Sequence, residues 1–239
     1  MSKIVKFLNV TKRYKDNVLA LNDLSFSVNR GEIFAILGQN GAGKTTIIKL
    51  LLNFIFPTRG VVCFNRTQYR IGYIHEENIG NKREKVWDFL YYMGRLMGFY
   101  GPIELRKKIE QLLSDYELSN KKNKPLSTLS KGMQQKLKWI LCSLNDPDIL
   151  ILDEPTDGLD PVSKRRMRDW FLQMKEKGKT LIISSHLLFE IEKVCDRFLL
   201  LQKGENIQEA SITDLRETET LEDYFLRILE EACGHSENK

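Results

Sequence analysis

The stretch that most constrains how this chain folds is GQNGAGKTT, Gly38 to Thr46, set directly after the strand-like EIFAIL and directly before the helical pattern Lys44 to Phe54. It matches G-x-x-x-x-G-K-[ST], and strand, loop and helix in that order are the context the motif requires. Gly38, Gly41 and Gly43 let the backbone wrap, so that N–H groups along Gln39, Asn40 and Ala42 point inward at phosphates. The helix that follows adds the positive end of its dipole. On this reading Lys44 reaches the β- and γ-phosphates, the Thr45 hydroxyl ligates Mg2+, and Thr46 completes the loop. The competing reading is a plain glycine turn between strand and helix.

The rest of the pattern agrees with an α/β layer fold. Ile33 to Leu37, Ile149 to Leu152, Leu181 to Ile183 and Phe198 to Leu201 are continuous apolar runs, the appearance of strands buried on both faces of a mostly parallel sheet. Helical patterns such as Val162 to Lys177 lie between them. The first 30 residues alternate instead, in KIVKFLNV and LSFSV, which predicts antiparallel strands at one edge. Residues 84–145 carry no buried-strand signal. Helical stretches at Val86 to Gly98, Ile103 to Tyr116 and Ser130 to Leu144 predict an inserted α-helical sub-domain there.

Residues 1–204 are thus expected to form the main domain and residues 205–239 a C-terminal extension. That extension holds ten acidic against three basic side chains, although the whole chain carries a net charge of +5. Leu221, Tyr224, Phe225, Ile228 and Leu229 fall at helical spacing, so the tail reads as a short amphipathic helix docked on this chain or on a partner. The basic body suits nucleic acid, anionic lipid or an acidic protein surface, or is simply a solvated lysine face. Over 239 residues, 42% hydrophobic and 29% charged side chains exclude a disordered or membrane-embedded chain. No apolar run approaches the 18 or so residues of a spanning helix, and MSKIVKFLNV lacks the apolar core of a signal peptide, so a cytosolic chain is expected. Cys63, Cys142, Cys195 and Cys233 form no CxxC pair and lie in apolar surroundings, which predicts buried free thiols.

A second acidic site is expected to complete the metal. DILILDE, Asp148 to Glu154, is an apolar strand with Asp153 at its carboxyl end, suited to be an outer ligand to Mg2+. Glu154 follows, placed to orient and polarise an attacking water.

Together these segments resemble the ATP-binding subunits of ABC transporters over nearly the whole chain. GQNGAGKTT resembles the Walker A segment, ILILDE Walker B, and LSKGM, Leu129 to Met133, the signature usually written LSGGQ. DGLDP, Asp157 to Pro161, is similar to the D-loop, His186 in LIISSHLLFE to the switch histidine, and Tyr14 to the aromatic that stacks on adenine. Ser130 is a good N-cap, so the start of the signature helix is a second anion site. The resemblance implies that two such chains face head to tail, a homodimer in preference to a heterodimer. Ser130 and Gly132 of each would meet the γ-phosphate of the ATP held by the other's Walker A, with Asp160 connecting the two sites. It also implies that His186 contacts the γ-phosphate and helps hold water and Glu154 in line. Three departures stand out: Lys131 and Met133 in the signature, Glu76 as the Mg2+ ligand where the Q-loop usually has glutamine, and a short segment between Thr58 and Ile71.

The family docks a separate transmembrane permease on the Q-loop and the helical insertion, here rich in Trp87, Phe89, Tyr91, Tyr92, Phe99 and Tyr100. The SKGM-type signature, GLDP and short acidic tail resemble the ATPases of two-component bacterial exporters of drugs, peptides or antibiotics. That resemblance implies a peripheral protein on the cytoplasmic side of the membrane. The alternative is a soluble ABC-type ATPase acting on nucleic acid or ribosomes. Those chains carry two cassettes or a long coiled coil, and roughly 100 residues between the Walker motifs leave no room for one, so no nucleic-acid partner is expected. A GTPase would need NKxD; NKRE and NKKN both fail at the last position.

Overall fold

The computed structural model describes residues 2–15, 17–64, 68–74, 80–98, 101–216 and 219–234, the last six by backbone alone. The chain begins with β1 (Lys3–Arg13), β2 (Leu19–Asn29) and β3 (Ile33–Leu37), then α1 (Lys44–Leu51), β4 (Arg59–Phe64) and β5 (Ile71–Ile74). Three helices follow, α2 (Val86–Leu96), α3 (Pro102–Asp115) and α4 (Lys131–Ser143). Strand and helix then alternate through β6 (Ile149–Asp153), α5 (Pro161–Glu176), β7 (Thr180–Ser185), α6 (Leu188–Glu192) and β8 (Arg197–Gln202). β9 (Glu205–Ser211) and α7 (Leu221–Gly234) close the chain.

The central sheet has the order β5-β6-β7-β3-β8-β9, with every neighbouring pair parallel except β8 and β9. Because side chains alternate across a strand, each apolar run feeds two cores. Ile33, Ala35 and Leu37 pack on one face with Trp139, Trp170 and Phe171 of α4 and α5. Phe34 and Ile36 pack on the other with Ile47, Ile48 and Leu51 of α1. A third cluster, built on Phe89, Leu90, Leu105, Ile109, Leu137 and Ile140, holds α2, α3 and α4 together.

The structure corrects three expectations. The early antiparallel strands are not an edge of the main sheet; β2-β1-β4 is a separate three-stranded sheet. It is joined to the core by a ring stack in which Phe26 lies 4.5 Å from Phe7 and 5.6 Å from Phe34. Alternation correctly reported one buried face, but not which layer that face would meet. The expected boundary at 204/205 cuts a hairpin: Glu205–Ser211 is the outermost strand of the main sheet, pairing Ala210 with Phe198. Cys63 is exposed, whereas Cys142 and Cys195 are buried; the Cys233 side chain lies outside the described residues.

Burial, the first cause in both cases, pushes the Cys195 thiol up to about 12 and raises that of Cys142 as well. Thiolate is the reactive form. With the folded protein at pH 8, a thiol reagent will therefore modify Cys63 and spare Cys142 and Cys195 until denaturant is added, as peptide mass spectrometry will report. Labelling of Cys142 or Cys195 at the rate of Cys63 would contradict this packing.

Candidate active site

Parallel strands end at a common edge, so neighbours β6, β7 and β3 deliver their following loops to one place. Asp153 sits opposite Ser184 of β7, and Ser184 and Ser185 sit opposite Ile36 and Leu37 of β3. Glu154, His186 and the Gly38 loop follow immediately. Glycine is obligatory at both ends of that loop: a Cβ on Gly38 would lie 2.4 Å from the Leu201 carbonyl oxygen. Gly43 has φ +113°, with the Ala20 carbonyl oxygen 2.8 Å from where its Cβ would be. The Gly38 N–H donates to the Ser185 carbonyl at 3.3 Å, tying the loop to the strand that carries His186.

The Lys44 ammonium is buried, 6% exposed, and curls into its own loop. It donates to the carbonyls of Gly38 at 2.7 Å and Gln39 at 3.1 Å, and pairs with Glu154 Oε1 at 3.0 Å. The other carboxylate oxygen, Glu154 Oε2, lies 2.9 Å from His186 Nδ1 and accepts from the His186 backbone N–H at 3.3 Å. One carboxylate thus bridges the two groups that sequence reasoning assigned to the γ-phosphate. Glu154 reaches this position from a left-handed backbone, φ +44°, a strain of about 1 kcal/mol or more that the surroundings must hold. Ser184 supplies the hold, its hydroxyl accepting from the Glu154 N–H at 3.0 Å and donating to Asp153 Oδ1 at 2.7 Å. Ser184 escaped the sequence reading, although a polar residue ending the run LIIS was its signal.

Thr45 is exposed at the start of α1, and Asp153 is 4% exposed at the end of β6. Among the described residues no three His, Cys, Asp or Glu side chains cluster to hold a metal. That donor set fits Mg2+, which binds through one or two protein groups and completes its octahedron with phosphates and water. Glu76 lies outside the described residues. Tyr14 is half-buried beside α1, its hydroxyl 3.3 Å from Thr46 Oγ1 and its ring 5.5 Å from Lys12 Nζ.

The signature-like segment forms the head of α4. Ser130 caps α4 by accepting from the Met133 N–H at 3.3 Å. Gly132 lies against the head of α5, where a Cβ would meet Ser163 Oγ at 3.3 Å. Lys131, Gln134, Gln135 and Lys138 of α4 face Glu154 and Asp157 across a cleft of about 320 Å³. Asp160, expected to connect two sites, has its carboxylate committed to α5, accepting from the Val162 and Ser163 N–H groups at 3.0 Å and the Ser163 hydroxyl at 2.6 Å. The Ser163 bonds hold its carboxyl below the ordinary value. In the helical cluster Phe89 is buried, Trp87 and Tyr91 are half-buried and Tyr92 is exposed; Phe99 and Tyr100 lie outside the described residues.

Residues 21–157, from β2 through the segment after Glu154, match the sequence model of the ABC transporter family. The chain belongs to that family. An ABC transporter subunit of this kind binds ATP and hydrolyses it, and works with separate membrane subunits. No helix among the described residues is long and apolar enough to cross a membrane. The ABC chain is similar to an uncharacterized ABC transporter ATP-binding protein of Methanocaldococcus jannaschii, 42% identical over 215 residues, 90% of this chain and 80% of the relative. It is 35% identical over 224 residues to the Nod factor export ATP-binding protein I of Burkholderia orbicola, 90% of this chain and 73% of that one. A solved ATP-binding subunit of an ABC transporter superposes with a TM-score of 0.82 at 25% identity, over 95% of this chain and 99% of its own.

Proposed function

We propose that this chain is the ATPase of an exporter, hydrolysing ATP in a head-to-tail pair of identical chains to drive a separate membrane permease that exports a drug, peptide or antibiotic. The observation that carries the hydrolytic part is the Glu154 carboxylate held between Lys44 and His186 at the edge where β3, β6 and β7 end. In this reading the phosphate loop and Lys44 take the β- and γ-phosphates, and Tyr14 stacks on the adenine. Thr45 and Asp153, with Glu76, hold Mg2+, whose charge neutralises the phosphate oxygens. A γ-phosphate competes with Glu154 for Lys44. Once displaced, the carboxylate is free to accept the proton of a water aligned by His186. Ser130 and Gly132 reach the γ-phosphate bound to the other chain, and Asp160 acts by fixing the head of α5 next to Gly132.

Closing the pair on ATP and reopening it after hydrolysis converts nucleotide state into motion. The cluster of α2, α3 and α4, a sub-domain inserted at about 84–145, would carry that motion to the permease from the cytoplasmic face of the membrane. Export as the direction is supported by the export relative at 35% identity. Affinity purification of the tagged chain from detergent-solubilised membranes tests the partner: a polytopic membrane protein is expected to co-purify and to raise the ATPase rate. Export is then read in vesicles reconstituted with both proteins. Recovery of ribosomes or nucleic acid with no membrane protein would overturn the reading.

A further inference from the structure

The C-terminal helix lies beyond the residues that match the family, yet it is built into the core rather than left as a tail. Leu221 and Tyr224 are buried in the same cluster as Phe198, and the Tyr224 ring meets Phe198 edge-on at 5.6 Å. The start of α7 is capped reciprocally, Thr220 Oγ1 donating to Asp223 Oδ2 at 2.6 Å and accepting from the Asp223 N–H at 3.1 Å. Its first N–H, that of Leu221, donates to Glu192 Oε2 at 3.0 Å. Glu192 belongs to α6, the short helix directly after His186. On the same helix Glu190 is bound by Arg168 of α5. The segment that carries His186 is therefore fastened to α5 on one side and to α7 on the other.

Phe225, the next position of α7, is partly buried against the same core cluster and borders the space beside the phosphate loop. It walls two small cavities. One, of about 140 Å³, is shared with Gln39, Asn40, Gly41 and Ala42; the other, of about 210 Å³, is shared with Gly38, His186 and Leu188. Gln39, Asn40 and Gly41 are themselves exposed. A ring at this place takes up space into which that arm of the loop and the His186 segment could otherwise shift.

We infer that Phe225 is a positioning residue of the ATP site, buttressing the Gln39–Gly41 arm of the phosphate loop and the segment that carries His186. The inference rests on the reading of Gly38–Thr46 and His186 as that site. Its energetic content is pre-organisation: without the ring the loop spends less time in the shape that receives phosphates, and apparent affinity falls by that fraction. Leu221 and Tyr224 keep α7 docked when the ring is removed.

The test uses the full chain, N-methylanthraniloyl-ATP as the binding probe, and steady-state hydrolysis. Phe225→Ala should raise Kd for the probe and KM for ATP by about 5- to 20-fold, with kcat within about 3-fold of wild type. Phe225→Leu, which restores apolar volume, should return both to within about 2-fold. Unchanged affinity in Phe225→Ala would overturn the inference. So would affinity and Tm falling together in both variants, which would make Phe225 a packing residue alone. Lys44→Ala, measured alongside, separates the two levels: if it binds the probe as wild type does, the phosphate-loop reading itself has failed. If it loses binding while Phe225→Ala keeps it, only the role of Phe225 is lost.

Discussion

Glu154→Gln lowers the ATPase rate by at least about 100-fold, the range expected for loss of a general base, while ATP binding is not merely retained but strengthened. The second half comes from the geometry. In the folded chain Glu154 Oε1 sits 3.0 Å from the Lys44 ammonium, so an incoming phosphate must take Lys44 away from a carboxylate at 12% exposure. A charge-assisted bond of this kind is about twice as strong as a neutral one. Glutamine keeps the shape but not the charge, so the ion pair with Lys44 gives way to at most a weaker bond from a neutral amide oxygen, beside the Gly38 and Gln39 carbonyls. Titration of the monomer with ATP at low protein concentration measures the gain in affinity, and size exclusion with ATP detects a trapped dimer. Hydrolysis at the wild-type rate would mean that the base lies elsewhere.

Ser130→Arg abolishes hydrolysis, a fall of at least about 100-fold as for removal of key donors to a developing charge, yet leaves binding of ATP to the isolated chain within about 2-fold of wild type. Ser130 is exposed at the head of α4, so an arginine is accommodated in the monomer. Loss of the cap to the Met133 N–H costs about 1 kcal/mol, which lowers Tm by about 2–4 °C in a chain of this size. The sharper measurement mixes this variant with Lys44→Ala. Each is inactive alone, but a mixed pair holds one intact phosphate loop facing one intact signature. Equal mixing should restore about a quarter of the wild-type rate if the sites are independent and chains exchange freely. No recovery at all would sink the head-to-tail arrangement.

Much of this was readable in the sequence because the residues concerned are governed by strong local rules. The run Ile33 to Leu37 is buried throughout and therefore uniformly apolar. The glycine loop is fixed by steric contacts that admit no side chain at Gly38 or Gly43. β9 escaped because an antiparallel edge strand needs only one covered side; ENIQEAS is largely polar and reads as tail. Cys63 misled because alternation in β4 turned it outward. Asp160, read as a connector of two sites, caps α5 ahead of a proline, and that local role accounts for its carboxylate in the folded chain. What no local rule could supply was adjacency across the sheet: that Ser184 would hold the backbone of Glu154, or that Phe225 would border Gly38.

The sheet order also bears on how the chain comes off the ribosome. β3, which launches the phosphate loop, is flanked by β7 and β8, so its first partner begins at Thr180 and its second at Arg197. At ordinary elongation rates the nascent chain waits roughly 10 to 30 s between emergence of β3 and emergence of β8. For most of that interval, until β7 emerges, a fully apolar strand that includes Phe34 has no native neighbour in the main sheet. The loop after β3 is therefore among the last parts of the molecule able to settle, and the early β1–β2 hairpin, whose Phe26 stacks on Phe34, is a native neighbour already present to cover β3 until its strand partners arrive.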